Sequence, residues 1–222
     1  MKLSDNTLNV LKNFATINQG LVIRPGSILR TINSNRNILA EATVEEEFPM
    51  EFGIYDLNKI LSVLTHSKVA VNVEFEKESL VFESVGKVRV RHSPVGLIVA
   101  PPNKSINIPS YDVEFKLSAD ILNWINNTAS ILKAPNIVVK SDGGDISVLA
   151  MDVKGKIVDD ASVKVEGKSH SAFQAVFLIE NLKMMNGGYT VELSSSGVAK
   201  FSHAEKKLVY WISTEKKDSK FE

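Results

Sequence analysis

The sequence predicts an α+β protein of two tandem units, each with antiparallel sheets backed by two helices. Three observations carry that prediction. An amphipathic helix is written at Asn6–Ile17 and again at Ala119–Lys133. Each is followed by short segments that alternate apolar and polar residues, the period of strands with one buried face. Between the two copies, Ser93–Ser110 carries Pro94, Pro101, Pro102 and Pro109, and proline cannot donate to a sheet ladder. The expected division is residues 1–92, a connector over 93–110, and residues 111–222.

In the first unit, Ser4 or Asp5 can cap the opening helix through a short oxygen side chain. Steps of about 100° put Leu8, Val10, Leu11, Phe14, Ala15 and Ile17 on one half of the cylinder. Gly20 and the Pro25–Gly26 pair then mark the change to strands at Leu21–Ile23, Ser27–Ile32, Ile38–Val44 and Glu47–Ile54. Asp56 opens a shorter helix through His66, burying Leu57, Ile60, Leu61 and Leu64. Strands at Val69–Phe75, Ser79–Val85 and Lys87–His92 close the unit.

The second unit repeats the plan. Tyr111–Leu117 is a strand, and Ser118 caps a helix whose expected buried side is Ile121, Leu122, Trp124, Ile125, Ile131 and Leu132. Pro135 stops it, and Asp142–Gly144 forms the turn of a hairpin. Strands at Ser162–Glu166 and Ala172–Ile179 precede a short helix at Asn181–Met185, and three further strands run to Ser213. The charged tail Glu215–Glu222 is expected to be loose.

Composition narrows the function classes. With 26 basic and 26 acidic residues the net charge is zero, which argues against a groove-reading DNA regulator. No cysteine is present, so disulfides and thiolate metal sites are out and a reducing compartment suits the chain. No apolar run approaches the ~18 residues of a membrane span, and the start MKLSDNTLNV has no signal-peptide core.

Catalytic chemistry is equally thin. His66, His92, His170 and His203 are scattered without metal-ligand spacing. Gly167-Lys168-Ser169 has the end of a phosphate loop, but Ser162 stands at the required leading glycine and no helix follows. Asp142, Asp145, Asp159 and Asp160 sit in turns, Ser169-His170-Ser171 lacks an orienting acid, and Glu45-Glu46-Glu47 reads as a solvated strand end. No enzyme and no cofactor are expected.

Leu8–Asn18, above all LKNFATIN at Leu11–Asn18, resembles the sliding clamps of large tailed bacteriophages. Met1–Ser4 and the Ile54–Asn58 block match that family in order, as do Val99-Ala100-Pro101 with Asn103-Lys104, and Asn181–Met184. The resemblance implies two DNA-clamp domains per chain and a ring-forming homotrimer that encircles duplex DNA. It implies a processivity factor for the replicative DNA polymerase, loaded by an ATP-dependent clamp loader in the cytoplasm of the infected bacterial host. It also implies a tether for RNA polymerase and its late transcription factors.

If the helices line the hole, Lys12, Lys59, Lys133 and Lys183 are the expected DNA-facing cations, with Asn9, Asn13, Asn123, Asn126 and Asn127 as neutral lining. Such a surface suits sliding, because many tight phosphate contacts would hold the ring in place. Family members carry arginine on the helix of the second domain, where this chain has Asn126, Asn127 and Ala129, which weakens the expected contact. The partner-peptide pocket is expected near the connector, at Phe52, Leu97, Ile98, Val99, Pro101 and Trp211. The rival readings are a non-enzymatic virion or assembly protein, which predicts no duplex-sized hole, and a hydrolase with a dispersed site.

Overall fold

The opening helix, α1 (Asp5–Ile17), turns Thr7, Val10, Leu11, Phe14 and Ile17 inward, the spacing of one apolar face. Ser4 caps it by accepting the Thr7 N–H at 3.2 Å. The structure, a computed structural model, describes residues 1–66, 69–104, 106, 108–155 and 159–222. It divides into two units, Met1–Asn103 and Lys104–Glu222. The division falls inside the proline-bearing connector, of which positions 105 and 107 lie outside the described residues.

The first unit continues with β1 (Leu21–Ile23), β2 (Gly26–Ile32), β3 (Ile38–Phe48), β4 (Phe52–Ile54) and α2 (Leu57–His66). It ends with β5 (Asn72–Phe75), β6 (Ser79–Glu83) and β7 (Lys87–Arg91). All its pairings are antiparallel: β1 with β4, β2 with β3, and β5-β6-β7 as a meander. β3 runs on to Phe48, and Pro49 separates it from β4, where one strand over Glu47–Ile54 was expected. α1 and α2 pack together, and Asp56 caps α2 by accepting the Lys59 N–H at 3.2 Å.

Glu46 corrects the sequence reading. Glu45 and Glu47 are exposed, but Glu46 points inward and accepts from the Ser4 N–H and the Thr7 hydroxyl at the start of α1. Burial pushes its carboxyl up, but the hydrogen bonds from Thr7 and Ser4 outweigh this and hold it below the ordinary glutamate range.

The second unit comprises β8 (Val113–Leu117), α3 (Ala119–Leu132), β9 (Asn136–Asp142), β10 (Asp145–Met151) and β11 (Ala161–Lys168). β12 (Ala172–Leu178), β13 (Tyr189–Ser194), β14 (Val198–His203), β15 (Leu208–Ser213) and β16 (Lys220–Phe221) follow. Its strands neighbour one another in the order β16-β12-β9-β10-β11-β8-β13-β14-β15, each pairing antiparallel. α3 packs on β10 and β11.

Three expectations fail here, each for a visible reason. The helix expected at Asn181–Met185 is a single 3₁₀ turn at Ile179–Asn181. Beyond it, the Met185 N–H donates to Tyr210 Oη at 3.0 Å and its carbonyl accepts from Tyr189 Oη, so side chains satisfy groups a helix would have used. Burial pushes both phenols far above their ordinary range, which keeps them protonated. Trp124 and Ile131, expected in the core, are 45% and 78% exposed, because α3 buries only Leu122, Ile125 and Ala129. The tail is not loose: β16 pairs with β12, the Phe221 and Phe173 rings stack at 5.8 Å, and Ser219 Oγ accepts the Val176 N–H at 3.0 Å.

Candidate nucleic-acid and partner surfaces

The polar faces of the helices are the first candidate surface. On α1, Asn9 and Lys12 are exposed and Asn13 is half-buried, while the Thr16 hydroxyl donates back to the Asn13 carbonyl at 2.7 Å. Lys59 stands exposed on α2, the helix packed against α1, so Lys12 and Lys59 share one two-helix layer. On α3, Asn123 and Asn127 are exposed and Asn126 is half-buried. Lys133 ends α3 in the left-handed conformation, φ 54°, and is exposed. Lys183 is exposed but follows the 3₁₀ turn instead of lying on a helix. Asp5 and Asp120 occupy the first turns of α1 and α3, so each face is nearly neutral and rich in amides.

The connector forms the second surface, and it is fastened to the first unit at four points. Ser93 bridges to Gly53, donating its N–H to the Gly53 carbonyl at 2.9 Å. The Ile98 side chain fills a slot between two glycines. A Cβ on Gly53 would stand 2.8 Å from Ile98 Cδ1 and 2.4 Å from the Ser93 oxygen, and one on Gly20 3.0 Å from Ile98 Cγ2. Asn18 Nδ2 donates both to the Ile32 carbonyl at 2.8 Å and to the Val99 carbonyl at 2.9 Å. Arg24 reaches the Pro101 carbonyl at 3.4 Å.

This fastening sorts the six residues expected to line a partner pocket. Leu97 (69%) and Val99 (44%) are turned to solvent. Ile98 is the peg in the glycine slot, and Pro101 is buried. Phe52, 3% exposed, belongs to the core of the unit, its ring at 5.0 Å from His92 and 5.7 Å from Phe75. Burial also lowers the His92 pKa, favouring the neutral imidazole against the Phe52 face. Trp211 is half-buried on β15 of the second unit. Sequence reasoning missed an open cavity of about 470 Å³ beside Pro101, lined by Val22, Arg24, Ile28, Arg30, Glu51 and Asn103. The signal for it was the Pro25–Gly26 break, which gives Gly26 a φ of 105° and is followed early in β2 by the exposed side chain of Ile28.

Among the described residues, no three acidic, histidine or cysteine side chains converge to hold a metal, and no helix is long and apolar enough to cross a membrane. Gly167–Ser169 lies at the end of β11 and leads into β12, not into a helix.

These two-unit features are those of a DNA-clamp fold. The structure superposes on a chain of the PCNA2–PCNA3 complex of Sulfolobus tokodaii with a TM-score of 0.67, covering 97% of this chain and 100% of that one at 12% identity. Residues 3–85 match the family model for DNA polymerase processivity factors. The sliding clamp of Vibrio phage KVP40 is 30% identical over 223 residues, 97% of this chain and 99% of the relative. That of Escherichia phage RB69 is 26% identical over 92% and 93% of the two chains. The chain therefore belongs to the bacteriophage sliding-clamp family, whose members are non-enzymatic processivity factors.

Proposed function

We propose that three copies of this chain close head to tail into a ring that encircles duplex DNA and tethers the replicative DNA polymerase to its template. The observation that carries the reading is the repeated unit with an amide-rich, near-neutral helix face in each copy of the plan. A ring linked to DNA topologically needs little intrinsic affinity, and a lining with few cations leaves the phosphates weakly held, so the ring slides. Lys12, Lys59, Lys133 and Lys183 supply the residual attraction, and Asn9, Asn13, Asn123, Asn126 and Asn127 the neutral surface. Tethering works through effective concentration: a polymerase that lets go of the primer end remains beside it and rebinds.

Partner tails dock where the connector presents Leu97 and Val99, next to the cavity that holds Ile28 and Arg24. A closed ring also requires an ATP-driven loader to reach DNA without ends. Work in the cytoplasm of an infected host, and a second tethering role for RNA polymerase in late transcription, complete the proposal.

The test combines topology with charge. The protein should be retained on nicked circular DNA and lost when the circle is linearised; indifference to linearisation overturns the reading. Changing Lys12 and Lys133 together to Glu should lower polymerase stimulation while the oligomer persists, and unchanged stimulation rejects these helices as the DNA-facing surface.

A further inference from the structure

Asn186-Gly187 is the one Asn-Gly pair in the chain, and it sits in the bend that joins the tyrosine-held segment to β13. The structure requires glycine at 187. Its φ is 154°, and a Cβ there would run into the His203 ring, 2.7 Å from Cε1. Asn186 is exposed, and neither its carboxamide nor the Gly187 N–H makes a hydrogen bond among the described residues. The residues on either side are anchored. The Met185 N–H and carbonyl are held by Tyr210 and Tyr189, and the Gly188 carbonyl accepts the Ala204 N–H at 2.8 Å.

A carboxamide thus stands next to a backbone nitrogen that no side chain shields. His203 adds a donor where charge would develop. Its Nδ1 accepts the N–H groups of Glu205 at 3.1 Å and Lys206 at 3.3 Å, so the ring proton is on Nε2, which donates to the Asn186 carbonyl at 3.4 Å. That carbonyl belongs to the same peptide group as the Gly187 nitrogen and shares the negative charge when the N–H proton is lost. A donor aimed at it favours the anion. Two other sites in the chain are built the opposite way. Gly143 follows Asp142, but its N–H donates to Ser141 Oγ at 3.2 Å. Asn33 Oδ1 accepts from the Asn37 and Ile38 N–H groups at 3.0 and 3.1 Å, and Ser34 follows it.

We propose that Asn186 is a site of spontaneous deamidation in the folded protein, and that the carboxylate it acquires weakens the Lys183 end of the DNA-facing surface. The Gly187 nitrogen gives up its proton and attacks Asn186 Cγ. The N–Cγ bond forms, the Cγ–Nδ2 bond breaks, and the amide nitrogen leaves as ammonia, which takes up that proton. Water then opens the five-membered imide at either of its carbonyls. One opening gives aspartate on an unchanged backbone; the other gives isoaspartate, which lengthens the backbone between the Met185 and Gly188 anchors. Either places a negative charge three positions from Lys183, at most about 11 Å of extended chain. That is close to the Debye length of about 10 Å, so the carboxylate offsets part of the lysine's field. The deamidation stands on the turn alone, and its effect on DNA rests on the ring reading.

The full-length protein, aged in mildly alkaline buffer and then digested, should show aspartate and isoaspartate at 186 by mass spectrometry. Conversion there should outpace that at every other asparagine at least about tenfold, and should rise with pH as the Gly187 proton is lost more readily. An Asn186→Gln variant, whose longer side chain would have to close a larger ring, should stay unconverted at this position. No acid at 186 in the folded protein overturns the proposal, and conversion only after unfolding in urea would show that the turn blocks the ring. Conversion at Asn186 no faster than at Asn33 overturns it as well. For the effect on DNA, Asn186→Asp should lower polymerase stimulation about twofold, the scale of an exposed charge pair, while Asn186→Gln leaves it unchanged. Equal stimulation by the two variants overturns the link to Lys183. If the parent protein is not retained on nicked circular DNA, the ring reading and this link fail together, and the mass spectra still decide the deamidation.

Discussion

The long helices of the two units are capped by serine in the same way, but they are held and faced differently. α1 begins at Ser4 with the Glu46 carboxylate added beneath it, and it buries Val10, Leu11, Phe14 and Ile17. It leaves no large apolar side chain exposed. α3 begins at Ser118, whose Oγ accepts the Ile121 N–H at 3.3 Å, and its core contact is the smaller set Leu122, Ile125 and Ala129. Its two largest side chains in reach of solvent, Trp124 and Ile131, are left outside. The same difference recurs in the second helix of each unit: α2 is present in the first, while the second replaces it with a turn held by Tyr189 and Tyr210. A repeated plan therefore need not repeat its energetics. α1 closes its apolar face within its own unit, and α3 leaves Trp124 and Ile131 on the outside.

The largest test of that contrast is Phe14→Ala. Phe14 is fully buried, so truncation removes its transfer energy and leaves a cavity, a cost of about 3–5 kcal/mol. Hydrogen exchange should rise across α1, β2 and β3. Ile131→Ala in dissociated protein should stay within about 0.5 kcal/mol, as for an exposed site away from core packing. A monomer as sensitive at Ile131 as at Phe14 would show that α3 uses its outer strip for its own stability. A middle-sized effect is expected from Tyr210→Phe, which leaves the Met185 N–H without its acceptor inside the second unit. The loss should be about 1–3 kcal/mol, with faster exchange of the Met185 amide as its signature; protection unchanged at Met185 would remove the tyrosines from the role of a missing helix.

Those residues also show how far the sequence could be read. The amphipathic period of α1 and its serine cap were legible because both are local, and the hairpin at Asp142–Gly144 followed from turn chemistry. Trp124 and Ile131 were misplaced because hydrophobicity reports what a side chain avoids, not which surface will cover it. Glu46 was misread because its partners, Ser4 and Thr7, lie about forty positions away, and nothing local distinguishes it from Glu45 and Glu47. The tail was misread for the same reason: its charge suggests solvent, but the free edge of β12 lies far away in sequence. At the connector, the sequence marks residues 97–99 as one apolar group, but which of the three faces outward depends on the slot made by Gly20 and Gly53.

The smallest expected effect concerns acid, and it separates the two helix starts. In the folded chain the Glu46 carboxyl is held below its ordinary value of 4.5, because the hydrogen bonds from Thr7 and Ser4 outweigh the upward push of burial. The unfolded chain therefore binds this proton more readily than the folded one. By linkage, the stabilisation is fully present above pH 4.5 and is lost as pH falls through the depressed folded value. Glu46→Gln should cost roughly 1 kcal/mol at neutral pH and flatten the decline below pH 4.5, so that variant and parent converge in acid. The Ile121 amide under Ser118, which has no such carboxylate, should keep its exchange protection through the same range in both proteins. Denaturant midpoints measured between neutral pH and pH 3 supply the check, and a parent curve parallel to that of the variant would mean that Glu46 carries no charge-dependent share of the α1 cap.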